Sequence, residues 1–151
     1  MQKLNLPEYN FNIKLNNNKL EIFDSIRKKF VALTPEEWVR QNFIMYLINK
    51  KHFPASLIAV EKKLIFNNMT RRTDIVLYNK NGSPKLIVEC KSTDIKINQK
   101  VFDQIARYNM TLKVNYLVVT NGLEHYCCYI DDKNKTYNFL EEIPDYKNII
   151  D

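Results

Sequence analysis

The stretch Thr73-Asp74-Ile75-Val76-Leu77-Tyr78-Asn79-Lys80-Asn81-Gly82-Ser83-Pro84-Lys85-Leu86-Ile87-Val88-Glu89-Cys90-Lys91-Ser92 decides how the rest of the chain is read. Two apolar, β-prone runs flank Asn81-Gly82, a dipeptide suited to the left-handed backbone of a tight hairpin. A two-residue turn there sets Lys80 against Ser83 and, further along, Asp74 against Glu89. Side chains alternate faces along a strand, so Lys91 shares a face with Glu89. Two carboxylates and one ammonium thus converge at the end of the hairpin away from the turn. Cross-strand partners hold their Cβ atoms roughly 4.5–5.5 Å apart, where like charges destabilise unless compensated. A divalent cation would compensate them; so would a salt-bridge cluster with Lys91 on a solvated face. Pro84 leaves a longer loop, and a shifted register, open.

Beyond Lys91 a polar loop leads to a predicted helix over 98–112, with Val101, Ile105, Tyr108 and Leu112 at helical spacing. Gln104 and Tyr108 stand one turn apart on it and can present an amide and a phenol together, although Tyr108 also reads as a core residue. Tyr116-Leu117-Val118-Val119-Thr120 is the short apolar run of a buried strand, and Asn121-Gly122 turns it into the strand around Cys127. The Glu89 strand, the helix and the Val118 strand make a βαβ unit with a parallel pair.

In the other direction, Leu57–Val60 begins a strand that extends toward Phe66, and Asn67-Asn68 turns it into the Asp74 strand. A helix is predicted over 35–49. Thr34 is its N-cap, Pro35 its first residue, and Glu37 completes a capping box. Val39, Phe43, Tyr46 and Leu47 form its apolar stripe, while Glu37, Arg40 and Gln41 share another face. Residues 1–33 form an N-terminal hairpin extension in which Asp24 caps a turn through Arg27. Residues 34–130 are the core, and 131–151 a tail packed on it. The expected fold is a single α/β domain with a mixed sheet, strands at Ile58, Ile75, Val88, Val118 and Cys127, and flanking helices.

A length of 151 residues suits one domain, and 26% charged with 45% hydrophobic residues is an ordinary globular composition. No run approaches the roughly 20 apolar residues of a membrane span, and no signal-peptide core is present. Cys90, Cys127 and Cys128 read as small apolar strand residues of a reducing, cytoplasmic compartment. His52 and His125 stand apart, so no zinc spacing occurs. A net charge of +6 is compatible with a polyanionic partner.

Asp74, then Glu89-Cys90-Lys91, then Gln104 and Tyr108 resemble the PD-(D/E)XK nuclease superfamily in its branch with a Q-x-x-x-Y helix. Four segments in order, Leu33–Gln41, Arg71–Asp74, Ile87–Lys91 and Val119–Gly122, resemble more narrowly the N-terminal nuclease domain of type I restriction enzyme R subunits. The resemblance runs from about Leu4 to Ile143 and implies a restriction-endonuclease-like core that cleaves DNA with magnesium, or manganese. It implies Asp74, Glu89 and the Cys90 backbone carbonyl as metal ligands, with Glu37 (or Glu36) approaching the metal from the first helix. Lys91 is implied as the catalytic lysine, and Gln104 as supporting the site. Tyr108, Arg71, Arg72 and Arg40 are expected to contact nucleic acid. Thr73 replaces the motif's proline, and no P-loop occurs, so the motor of type I enzymes is not expected here. Expected partners are DNA, other restriction-system subunits and a second copy of the chain. An adaptor that binds nucleic acid without cutting it is the alternative, and a protein-interaction domain the third reading.

Overall fold

The computed structural model describes residues 1–149. The chain opens with β1 (Ile13–Asn16), β2 (Lys19–Asp24) and β3 (Lys29–Ala32), an antiparallel sheet of its own. The expected hairpin therefore has a third strand. Asp24 makes the second turn possible, its Oδ1 accepting from the backbone of Ile26 and Arg27 at 2.8 Å each. Helix α1 (Pro35–Asn49) follows, with Thr34 Oγ1 accepting from Glu37 N at 3.0 Å. The capping box is only half made, because the Glu37 carboxylate goes to arginines instead.

β4 (Ile58–Phe66), β5 (Met69–Tyr78), β6 (Pro84–Cys90), β7 (Tyr116–Thr120), β8 (His125–Asp131) and β9 (Thr136–Leu140) form a six-stranded sheet in sequential order. Every pairing is antiparallel except β6 with β7, which the crossover helix α2 (Gln99–Met110) joins in parallel. Part of the expected tail, Phe139-Leu140 included, is strand β9 at the edge of the sheet. Its last two residues lie outside those described.

The sheet has an apolar layer on each face. Val39, Phe43 and Leu47 of α1 pack on Ile75, Leu77, Val88, Val118 and Cys127. Phe102 and Ala106 of α2 pack on Val76, Ile87, Leu117, Val119 and Cys128, the alternate residues of the same strands. Each fully buried side chain of this kind contributes roughly 1.5–3 kcal/mol. The protein is one small mixed α/β domain with a helix on each face of its sheet. No helix among the described residues is long and apolar enough to cross a membrane. All three cysteines are free and buried in the strands.

The β5–β6 turn corrects the sequence reading while keeping its consequence. Asn79, not Lys80, closes the loop onto Ser83 (N–H to O, 2.9 Å), with Gly82 at φ +81°. A bulge between Leu77 and Tyr78 then absorbs one residue of β6, restoring Leu77↔Leu86, Val76↔Ile87 and Ile75↔Val88. The next step along that register sets Asp74 beside Glu89.

Candidate active site

The regular ladder is interrupted at Asp74. On the β4 side the pairing skips from Val60↔Ile75 to Lys62↔Thr73, and Glu61, across from Asp74, has φ +52°. On the β6 side the side chain takes over from the backbone: Cys90 N–H donates to Asp74 Oδ2 at 2.7 Å. The Glu89 carboxyl stands next to Asp74. Burial first, then the Asp74 charge, raise Glu89 to about 8, against a weaker opposing pull from the Lys91 charge. Glu89 Oε1 is buried without a hydrogen-bond partner. Buried polar atoms are nearly always satisfied, so an orphan beside a second carboxylate is a place for a further group.

A cleft of about 330 Å³ opens between strand and helix, with Glu89 and Lys91 on one wall and Gln104, Ile105, Tyr108 and Asn109 on the other. Gln104 therefore faces the Glu89–Lys91 end of the sheet. The buried residues of α2 are Phe102, Ala106 and Asn109, one position away from the expected stripe of Val101, Ile105 and Tyr108. That displacement turns Tyr108 out of the core. It is 45% exposed, and the Arg71 guanidinium lies 4.2 Å over its ring. Arg72 is exposed and pairs with Glu61 at 3.0 Å.

The α1 residues divide in a way the sequence left open. Glu37 is 7% exposed and accepts from Arg40 at 2.8 Å, from Gln41 at 3.0 Å and from Arg27 at 3.1 Å. Arg40, expected to meet nucleic acid, is 5% exposed, and donates from Nη2 to Asp74 Oδ1 at 2.9 Å. Its reach to solvent is taken up by carboxylates, Glu61 included at 3.6 Å. Glu36 is the helix acid that feels the site. Burial first and then the Asp74 charge raise its carboxyl, with Arg40 and Lys91 opposing. The more exposed acid, whose carboxyl is raised by burial and the Asp74 charge, is thus the alternative one, while Glu37 anchors a buried network.

Asp24, Arg27, Glu61 and Asn109 join the site without having been expected there. Arg27 ties Asp24 (2.5 Å), Glu37 (3.1 Å) and Glu61 (3.2 Å) together, so the N-terminal sheet braces α1 against β4. Glu61 had a signal: a two-residue turn at Asn67-Asn68 sets it across from Asp74. Asp24 and Arg27 had none, since they meet the site only through tertiary packing.

Among the described residues no three His, Cys, Asp or Glu side chains are grouped to hold a metal ion. Magnesium asks for less, one or two carboxylates with water and substrate oxygens completing its shell. Asp74 and Glu89, with a free buried oxygen on Glu89, fit that demand.

Residues 35–144 match the family model described as the type I restriction enzyme R protein N terminus. No curated protein matches the chain. Among solved structures, a fragment assigned as an HsdR subunit of a type I restriction enzyme from Vibrio vulnificus YJ016 is similar at 17% identity, with a TM-score of 0.55 over 79% of this chain. The chain spans 25% of that fragment's length. A protein assigned as a nuclease from Anabaena variabilis ATCC 29413 is similar at 12% identity and a TM-score of 0.47, over 91% of this chain and 80% of that one. The family match takes in α1, the Asp74–Glu89 hairpin and the cleft helix together, and on it the chain belongs to the family of type I restriction enzyme R protein N termini.

Proposed function

We propose that this domain is a restriction-related nuclease that hydrolyses DNA phosphodiester bonds with magnesium or manganese. The observation that carries the reading is the unpartnered, buried Glu89 oxygen beside Asp74, opening on a cleft that also holds Lys91. Asp74, Glu89 and the Cys90 backbone carbonyl would hold the ion, with Glu36 close by. When bound, such an ion supplies positive charge to the scissile phosphate and acidifies a water. Lys91 orients the attacking water and steadies charge developing on the phosphate oxygens. Gln104, Tyr108 and Arg71 line or rim the cleft and position the DNA backbone. Arg40 holds the Asp74 carboxylate in place. The natural partners are DNA and other restriction-system subunits. Cutting both strands with one site per chain suits a pair of copies, and three buried free thiols suit the cytoplasm.

One observation favours the adaptor reading: both Asp74 oxygens already have partners, Arg40 and the Cys90 N–H. Nicking of supercoiled DNA with magnesium, manganese or chelator separates the two. Metal-dependent nicking by the wild type, lost in Asp74→Asn, supports the nuclease. DNA binding with no nicking under any metal would overturn it in favour of the adaptor.

A further inference from the structure

Strands β4 and β5 outrun their sheet. β6 pairs with β5 only between Ile75 and Tyr78, whereas β4 follows β5 out to Phe66↔Met69. Residues 62–73 are therefore a two-stranded arm whose root is Asp74. Asn67 and Asn68 at its tip, at φ 49° and 63°, form the two-residue turn that matches strand twist. The arm's inner face is fixed to the body. Leu64 packs on the α2-side core, Lys113 Nζ lies 5.2 Å from the Phe66 ring centre, and Arg71 covers Tyr108.

The outer face is different in kind. Lys63, Ile65, Thr70 and Arg72 pair across it and are all exposed, Ile65 at 75%. Of the four cations in residues 62–73, Lys63 and Arg72 lie on this face, Arg72 paired with Glu61 at 3.0 Å, while Lys62 and Arg71 lie on the other. An exposed aliphatic and a threonine flanked by cations match an anionic surface with apolar points between its charges. The major groove of DNA has that chemistry, phosphates along its rims and thymine methyls on its floor. Its width of about 12 Å admits a two-stranded ribbon, which the minor groove at about 6 Å does not. Thr70 lies four residues from Asp74, roughly 13 Å at ~3.3 Å per residue, about one major-groove width from a phosphate at the cleft.

We propose that the β4–β5 arm is a ribbon that docks in the major groove of duplex DNA, Lys63 on a phosphate and Ile65 with Thr70 against thymine methyls, while Arg72 stays on Glu61 at the arm's root. The proposal rests on the nuclease reading of the neighbouring cleft. Binding is measured on the whole chain with chelator present, using a short thymine-rich duplex and its copy with uracil in place of thymine. The wild type binds the thymine duplex tighter, by about fourfold for each methyl covered. Ile65→Ser erases that difference, and Lys63→Ala lowers the slope of log affinity against log salt by about one. Equal affinity of the wild type for the two duplexes overturns the proposal. Wild-type binding by both variants also overturns it, and the lysines then only guard an open sheet edge. A protein that never cuts DNA leaves this test intact. One that cuts but ignores these changes sinks the ribbon and leaves the nuclease standing.

Discussion

Arg40 Nη2 sits 2.9 Å from Asp74 Oδ1, so the first helix and the central hairpin are joined through a carboxylate of the candidate site. The opposite oxygen of Asp74 takes the Cys90 N–H. Burial pulls the Arg40 guanidinium down and the neighbouring Glu37 and Asp74 charges outweigh it, holding Arg40 above its ordinary value. Asp74 is a structural joint as well as a candidate ligand.

Asp74→Ala should therefore cost stability, on the order of 2 kcal/mol, by leaving a buried guanidinium and a backbone donor short of an acceptor. Asp74→Asn keeps one acceptor but turns its NH2 toward the other donor and removes the charge facing Arg40, so it should cost a similar amount, on the order of 2 kcal/mol. Urea midpoints of the two variants check this. Equal midpoints for Asp74→Ala and the wild type would show that the joint contributes no stability.

Glu36 and Glu37 should separate cleanly. Glu37→Gln strips charge from a buried carboxylate shared by Arg27 and Arg40 and should destabilise by about 2–3 kcal/mol. Glu36→Gln, with a side chain 46% exposed, should leave the urea midpoint nearly unchanged yet slow nicking about tenfold. The reverse pattern would return Glu37 to the site.

Glu89 gives the domain a signature in pH. Its folded carboxyl is raised from 4.5 to about 8, so between those values the unfolded chain has released a proton that the folded chain keeps. Without metal, stability should fall as pH rises through that window. One pKa unit is worth about 1.4 kcal/mol, so Glu89→Gln should be more stable than the wild type by at least ~1 kcal/mol at the upper end. Magnesium affinity of the wild type should rise across the same window, since binding displaces the proton. Thermal melts and metal calorimetry across that range read both effects.

Lys91→Ala should leave metal affinity nearly intact, because an ammonium is not a ligand, and lower the nicking rate by at least about 10²-fold. Lys91→Arg should not restore it, a planar guanidinium being a poor substitute for a compact charge. Nicking by Lys91→Ala at the wild-type rate would reduce the lysine to a salt-bridge partner.

Much of this arrangement was written in local sequence. Thr34-Pro35 set the start of α1, and alternation along the strands set which residues face each helix, because both rules act over a few neighbouring residues. The convergence of Asp74, Glu89 and Lys91 followed from hairpin register alone, and survived a wrong turn length because the Leu77–Tyr78 bulge cancelled the extra loop residue. Local periodicity could not decide whether Tyr108 belongs to the core or the cleft. A rotation of one residue about α2 separates the two, and the sheet beneath the helix selects it. Nor could it show that Arg40 and Glu37 turn inward, since their burial depends on Asp24, Arg27 and Glu61 arriving from distant strands to neutralise them. A charge is buried only when it is paired, and partners so far apart in the chain meet only in the folded protein.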